Sequence, residues 1–203
     1  MITRNLLAVL AASLIGGAPP LHADEISDQI EMGRQAYEAG ELRQAKDELQ
    51  YAIAQIQERL DNQYVTLMPE PLPGWVAEPA QAQTAGMAMM GGGTQLSRAY
   101  REPSSGAAVE LSVMADSPFL QAMSMMLSNP MMMRSEPGTK LYRLGRHRGM
   151  LKHPPGSKHW EISLMLANRI LVQVQGDGLE DQAPAEAYLK ALDLDAVQKA
   201  FGI

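Results

Sequence analysis

Methionine is the residue type whose clustering in this chain could support chemistry. The sequence has 15 methionines and no cysteine, and ten of the methionines lie between residues 87 and 133. Thioethers are soft ligands that suit Cu(I), and imidazoles can complete the coordination of that ion. The residues that could form such a site are Met87, Met89, Met125, Met132, His147 and His153. A Cu(I)-binding protein is therefore one alternative function that the sequence leaves open.

Clustered methionine also has two other interpretations, namely core filling and a groove that binds a partner. The unbranched thioether side chain adapts to irregular apolar surroundings in both cases. Neighbouring methionines around residues 125 and 132 cannot all point into one core, so we expect some of them to be exposed. The partner-binding residues predicted on this basis, together with two from the N-terminal helices, are Met123, Met125, Met126, Met132, Tyr37 and Leu49.

Charge is unevenly distributed along the chain, whose formal net charge is −6. Residues 24–62 hold ten acidic and four basic side chains, whereas residues 134–159 hold seven basic side chains and one acidic one. The basic segment could hold the acidic one, an acidic partner or anionic lipid headgroups. Its candidate anion-binding residues are Arg143, Arg146, Arg148 and Lys152. The negative net charge argues against nucleic-acid binding.

Motifs of the common enzyme classes are missing from the sequence. It contains no HExxH, no GxSxG, no phosphate-binding Gly-Lys-Ser/Thr loop and no strand-to-helix GxGxxG. The Gly91–Gly93 run lies between strand-like segments and is typical of a hairpin tip. We therefore expect a protein that is not an enzyme, with hydrolase activity as the alternative, with no catalytic residues and, apart from the Cu(I) alternative, no cofactor.

The first 23 residues have the pattern of a secretory signal peptide. A basic residue, Arg4, precedes an apolar run over residues 6–15, and Ala23 stands before an acidic mature start. The run of about ten residues is shorter than the ~20 that cross a bilayer core; a retained anchor is the alternative. The absence of cysteine excludes a disulfide framework. The sequence predicts an exported periplasmic protein that is soluble after cleavage.

Residues 24–67 are predicted to form a helical hairpin. Apolar residues recur at helical spacing, and Gly40 interrupts them as a short connection would. The residues that match the spacing of a tetratricopeptide repeat are Gly33, Gly40, Ala45, Leu49 and Ala52. The segment resembles a single such repeat, although no Trp precedes Gly33 and no Pro closes the unit. A lone repeat implies either a partner or packing on its own domain.

Residues 68–203 are predicted to form an α+β domain. A proline-rich break over residues 68–74 ends the hairpin. Alternating apolar residues and turn residues then predict strands over 109–114, 140–144, 149–153, 160–166 and 169–175. A helix is expected after Asp116 or Ser117, and a last helix begins at Ala183. Short connections between the strands favour an antiparallel meander sheet with flanking helices.

Several local signatures of this domain resemble uncharacterised exported proteins of proteobacteria. They are Leu72-Pro73-Gly74-Trp75, Ala85-Gly86-Met87-Ala88-Met89 with Gly91-Gly92-Gly93-Thr94, Met125-Met126-Leu127-Ser128-Asn129-Pro130 and Ala167-Asn168-Arg169. By element order the domain also resembles the PsbP-like fold, in which a meander sheet lies between helices. The first resemblance implies no known activity, and the second implies a binding or assembly role. The sequence thus favours a non-enzymatic periplasmic binding protein that meets another envelope protein, with Cu(I) binding and headgroup binding as alternatives.

Overall fold

The computed structural model describes residues 24–84, 92–118, 120 and 137–203. Its elements are helices α1 (Glu25–Glu38) and α2 (Leu42–Tyr64), a 3₁₀ turn (Val65–Leu67), strands β1 (Val76–Ala77), β2 (Gln81–Gln83), β3 (Thr94–Arg101), β4 (Ala108–Ala115), β5 (Thr139–Leu144), β6 (His147–Lys152), β7 (Trp160–Leu166) and β8 (Ile170–Asp177), and helices α3 (Ala183–Ala191) and α4 (Leu194–Ala200). The fold is α+β with an antiparallel sheet, as predicted. The signal peptide and the helix expected after Ser117 lie outside the described residues.

The sheet is open, and its strand order is β1-β3-β4-β8-β7-β6-β5, with β2 also paired to β3. Strands β5 to β8 form the predicted meander, and the five strands predicted over residues 109–175 are confirmed within two residues at their ends. One pairing differs from a simple meander, because β4 lies beside β8 rather than beside β5. Residues 116–138 therefore connect two strands that are separated by β8, β7 and β6.

Two residues between β7 and β8 make the tight turn predicted there. Ala167 and Asn168 have φ values of 48° and 56°. Left-handed conformations at both central positions match the twist of a two-residue hairpin. Gly92 and Gly93 also have positive φ and lie in the connection between β2 and β3, whereas Gly91 and the strand-like segment predicted before it lie outside the described residues.

One face of the sheet, called here the helix face, forms the main core with α3. Its strand side chains are fully buried, and they include Leu111 and Val113 of β4 opposite Val174 and Val172 of β8. Helix α3 adds Leu189, which is also fully buried. Because residues in a strand alternate between faces, the intervening residues lie on what we call the opposite face.

The C-terminal segment forms two helices where the sequence predicts one. Leu192 is extended, at φ −73° and ψ 123°, and it separates α3 from α4. The Asp193 carboxylate accepts a hydrogen bond from the Ala196 N–H at 2.9 Å and caps α4. A capping aspartate competes with helix continuation. The apolar residues of the two helices are nevertheless buried, namely Leu189, Leu192, Val197 and Phe201.

The chain divides into two compact units, and the division falls inside α2, between Ala52 and Ile53. In the second unit, the Tyr64 ring stacks on Phe201 with centroids 4.7 Å apart, and Met68 lies in the main core. Helix α2 ends before the proline-rich break, as predicted. The proposed domain boundary between residues 67 and 68 concerns independent folding and stays a prediction.

Candidate functional site

The N-terminal hairpin starts at a capped helix and turns at a glycine. The Asp24 carboxylate accepts hydrogen bonds from the N–H groups of Ile26 at 2.8 Å and Ser27 at 3.2 Å. An N-cap of this kind satisfies donors that an α-helix leaves free. Gly40, at φ 79°, follows α1 and leads into α2. The predicted helix–turn–helix is confirmed.

Small residues form the seam along which α1 and α2 approach each other. Gly33 and Ala36 of α1 are buried, and so is Ala45 of α2. A Cβ atom on Gly33 would lie 2.8 Å from Leu49 Cγ, closer than ordinary contact. The missing side chain therefore allows Leu49 to lie against the α1 backbone. Because the seam consists mainly of small residues, the close approach of the helices buries little apolar surface.

Large apolar side chains consequently remain exposed outside the seam or, in the case of Leu49, at its edge. Ile30 is 44 % exposed and Tyr37 67 % exposed on α1, while Leu42 is 63 % and Leu49 40 % exposed on α2. Residues seven apart lie nearly in line along a helix. In an antiparallel pair, both of these stripes fall on the same side of the seam. We call these four residues the hairpin apolar face.

The other side of the hairpin also carries exposed apolar side chains, one on each helix. Met32 on α1 and Tyr51 on α2 are 44 % and 52 % exposed. By helical spacing they project on the side away from Tyr37 and Leu42. They are therefore exposed apolar residues of similar size outside the hairpin apolar face.

An ion-pair network borders the hairpin apolar face on α1. The Arg34 guanidinium pairs with Glu31 at 2.6 Å and also with Glu38. Hydrogen bonds from Arg34 and Gln35 lower the pKa of the Glu31 carboxyl to about 2. The Glu31 carboxyl is therefore ionised at neutral pH, and ion pairs lie along this border of the face.

The structure locates two of the six predicted partner-binding residues. Tyr37 and Leu49 both belong to the hairpin apolar face. The other four, Met123, Met125, Met126 and Met132, lie outside the described residues. Ile30 and Leu42 were not among the predicted binding residues. Their signal was their helical spacing, but the sequence left open whether that apolar stripe packs on the sheet domain or on a partner.

The histidines predicted as copper ligands are not brought together. His147 begins β6 and His153 follows its end, so about 20 Å of strand separates them at about 3.3 Å per residue. One metal ion cannot be bound by both imidazoles. His153 stacks on Trp160 with centroids 3.7 Å apart, and its Nδ1 lies 3.0 Å from the His159 carbonyl oxygen. Burial lowers the pKa of the His147 imidazole.

The methionines of the copper prediction, Met87, Met89, Met125 and Met132, lie outside the described ranges. Within those ranges, no three His, Asp or Glu side chains gather into a group that could hold a metal ion. Copper binding thus stays a prediction from the sequence alone.

The predicted anion-binding residues lie on the β5–β6 hairpin, and they differ in their partners. Arg143 of β5 is directly opposite Arg148 of β6. Arg146, in the turn, pairs with Asp195 at 3.2 Å. Lys152 is directly opposite Glu161 of β7. The two arginines of β5 and β6 therefore stand apart from the rest of the set.

Sequence reasoning missed a group of side chains that binds the proline-rich segment. The Tyr100 hydroxyl donates to the Pro69 carbonyl at 2.7 Å, and the Arg98 guanidinium donates to the same oxygen at 3.0 Å. The Leu72 N–H donates to the Tyr188 hydroxyl at 3.2 Å. We call the side chains of Arg98, Tyr100 and Tyr188 the clasp. They come from β3 and α3, so no motif in the sequence predicts that they act together.

Within the described ranges, none of the helices combines the length and the hydropathy that crossing a membrane requires. Comparison of the chain with models of protein families, with curated proteins and with solved structures found no match. The resemblances to a tetratricopeptide repeat, to the exported proteobacterial proteins and to the PsbP-like fold therefore stay predictions.

Proposed function

We propose that this protein is a non-enzymatic binding protein that contacts a protein partner through the hairpin apolar face. The observation that carries the proposal is the exposure of four large apolar side chains, between 40 % and 67 %, on one side of a two-helix unit. Single exposed apolar residues are ordinary on protein surfaces, whereas a contiguous apolar patch is typical of an interaction site.

The packing of the hairpin supports a binding role for these side chains. The seam is built from small buried residues such as Ala45, at 3 % exposed, and Ala36, at 5 %. The large residues Tyr37 and Leu42 thus contribute little to holding the helices together. A surface of this type fits apolar side chains presented by a partner helix or extended segment.

The charge of the hairpin favours a basic partner segment. Residues 24–52 contain eight acidic and three basic side chains, a formal net charge of −5. Such a field accelerates encounter with an oppositely charged protein and disfavours an acidic one. The proposed partner therefore combines apolar anchors with a net positive charge.

Affinity capture with matched variants tests this function. The test variant is Tyr37→Ser/Leu42→Ser, and the control is Met32→Ser/Tyr51→Ser, which removes exposed apolar residues from the other side. We expect a protein from the native cell envelope to be retained by the full chain and by the control but lost by the test variant. Equal capture by all three proteins would exclude the hairpin apolar face as the binding surface.

We also propose that the protein acts in the periplasm after export. The support is the basic residue, apolar run and small-residue end within residues 1–23. Mass spectrometry of the protein isolated from its native cells is expected to find an N-terminus at Asp24. An intact N-terminus in the cytoplasmic fraction would contradict export.

A further inference from the structure

The β5–β6 hairpin carries an unfavourable charge pair. Arg143 and Arg148 are directly opposite each other in the register of these strands, so both side chains project from the same face, and both are exposed. Like charges at directly opposite positions destabilise a sheet. Within the described residues, no carboxylate pairs with either guanidinium. Among the described residues the two charges therefore repel each other, and an anion bound between them would reduce that repulsion.

Other cations nearby do have acidic partners. Arg146 pairs with Asp195, and Lys158 pairs with Glu180. The lack of a carboxylate partner among the described residues thus distinguishes Arg143 and Arg148 from the neighbouring cations. Arg146 and Lys158 together carry the same charge as the two arginines and therefore serve as a control pair.

Apolar side chains adjoin the two arginines on the same face. Leu141 is directly opposite Met150, two pairs along from the arginines and therefore on the same face, and Leu141 is 57 % exposed. The intervening Tyr142 projects to the helix face, where it packs against the main core. Leu141 and Arg143 therefore lie on the opposite face, on the outermost strand of the sheet.

We propose that Arg143, Arg148 and Leu141 form a surface that binds an anionic phospholipid membrane. Two neighbouring guanidinium forks match the oxygens of a phosphate group. An exposed leucine beside them gains by entering the boundary between headgroups and acyl chains. Because a soluble phosphate would leave Leu141 in water, the mixed chemistry favours a lipid headgroup. This surface is separate from the hairpin apolar face, so either proposal can fail alone.

Vesicle sedimentation tests the proposal with the full chain. We compare phosphatidylglycerol-containing vesicles with pure phosphatidylcholine vesicles at about 0.1 M salt, where charges act over about 10 Å. The test variant is Arg143→Gln/Arg148→Gln, and the control is Arg146→Gln/Lys158→Gln, which removes the same formal charge. Each basic residue near an anionic surface strengthens binding about fivefold, so the test variant is expected to bind about 25-fold more weakly.

Three further measurements test the contribution of Leu141, the repulsion between the arginines and the choice between a lipid headgroup and free phosphate. Leu141→Ser is expected to weaken vesicle binding severalfold while circular dichroism stays unchanged. Arg143→Gln alone is expected to leave thermal stability equal or slightly higher, because it relieves repulsion. Inorganic phosphate, compared with chloride of equal ionic strength, is expected not to displace the protein from vesicles.

Other results would overturn the proposal. They are equal loss of binding in the test and control variants, equal binding to both vesicle types, displacement by inorganic phosphate, and arginine-dependent binding to poly-glutamate in preference to vesicles.

Discussion

The Tyr100 phenol donates to the Pro69 carbonyl and is 1 % exposed. Burial raises its pKa to about 12, above the ~10 of an unfolded chain. The folded state therefore favours the neutral phenol. Its contribution to stability is complete below about pH 10 and is lost as the pH rises through about 12.

We expect alkaline pH to reduce the free energy of unfolding through this residue, by about 2 kcal/mol at pH 12. Tyr100→Phe is expected to cost about 1 kcal/mol near neutral pH, because one hydrogen bond is lost, and to make the alkaline decline shallower. Urea unfolding at several pH values measures both effects. Equal slopes for the two proteins above pH 10 would show that Tyr100 does not contribute to the decline.

The two helices of the N-terminal hairpin meet along a seam made mainly of small residues, and Leu42 lies outside that seam. Ala45 is 3 % exposed, whereas Leu42 on the same helix is 63 % exposed. Ala45→Leu is expected to destabilise the hairpin by about 1–3 kcal/mol, because inserted methylenes overpack a close seam. Leu42→Ser is expected to change stability by less than about 0.5 kcal/mol.

Hydrogen exchange of the α1 amides measures this difference directly. Faster exchange in Ala45→Leu, with unchanged exchange in Leu42→Ser, is the expected result. If Leu42→Ser loosens α1 as strongly as Ala45→Leu, then the exposed residues hold the hairpin together and are not free for a partner.

Local patterns in the sequence predicted most elements of the sheet but not their complete arrangement. Alternation marked β4, and turn residues such as Asn168 marked the hairpin between β7 and β8, because both signals are local. The pairing of β4 with β8 joins Leu111 to Val174, and no local signal reports a partner so distant in the chain. The end of α3 at Leu192 depended on a single capping residue, Asp193.

The candidate site was predictable only in part for a related reason. Helical spacing identified the apolar positions of α1 and α2, including Tyr37 and Leu49. It did not say which of them the seam would bury, because that depends on where Gly33 and Ala45 allow the helices to approach. The sequence identified Arg143 and Arg148 as candidate anion-binding residues but not that they lie directly opposite each other, since that depends on the register of β5 and β6.

In the second unit, hydrogen bonds from side chains of the sheet hold the backbone of the proline-rich segment. Arg98, whose side chain is 15 % exposed, donates to the Pro69 carbonyl and also to the Glu78 carbonyl at 3.0 Å. A proline-rich break by itself predicts an accessible linker, but these bonds hold its backbone against the sheet. Residues 68–73 should therefore resist proteolysis.

We expect proteinase K to leave residues 68–73 uncut in the full chain and to cleave them in Arg98→Ala/Tyr100→Phe. The control is Arg101→Ala, which removes an exposed arginine from the same strand. Mass spectrometry of early fragments locates the cuts. Early cleavage within 68–73 in the unaltered chain would show that the clasp does not hold the segment.

The central claim is that the hairpin apolar face meets a protein partner. It is tested most directly by placing a photoreactive phenylalanine analogue at Tyr37 or at Tyr51 of the full chain in its native cells. Both positions are exposed tyrosines of the hairpin, at 67 % and 52 %, but only Tyr37 belongs to the hairpin apolar face. We predict a discrete protein adduct from position 37 and none from position 51. No adduct at position 37, or equal adducts at both positions, would contradict the claim.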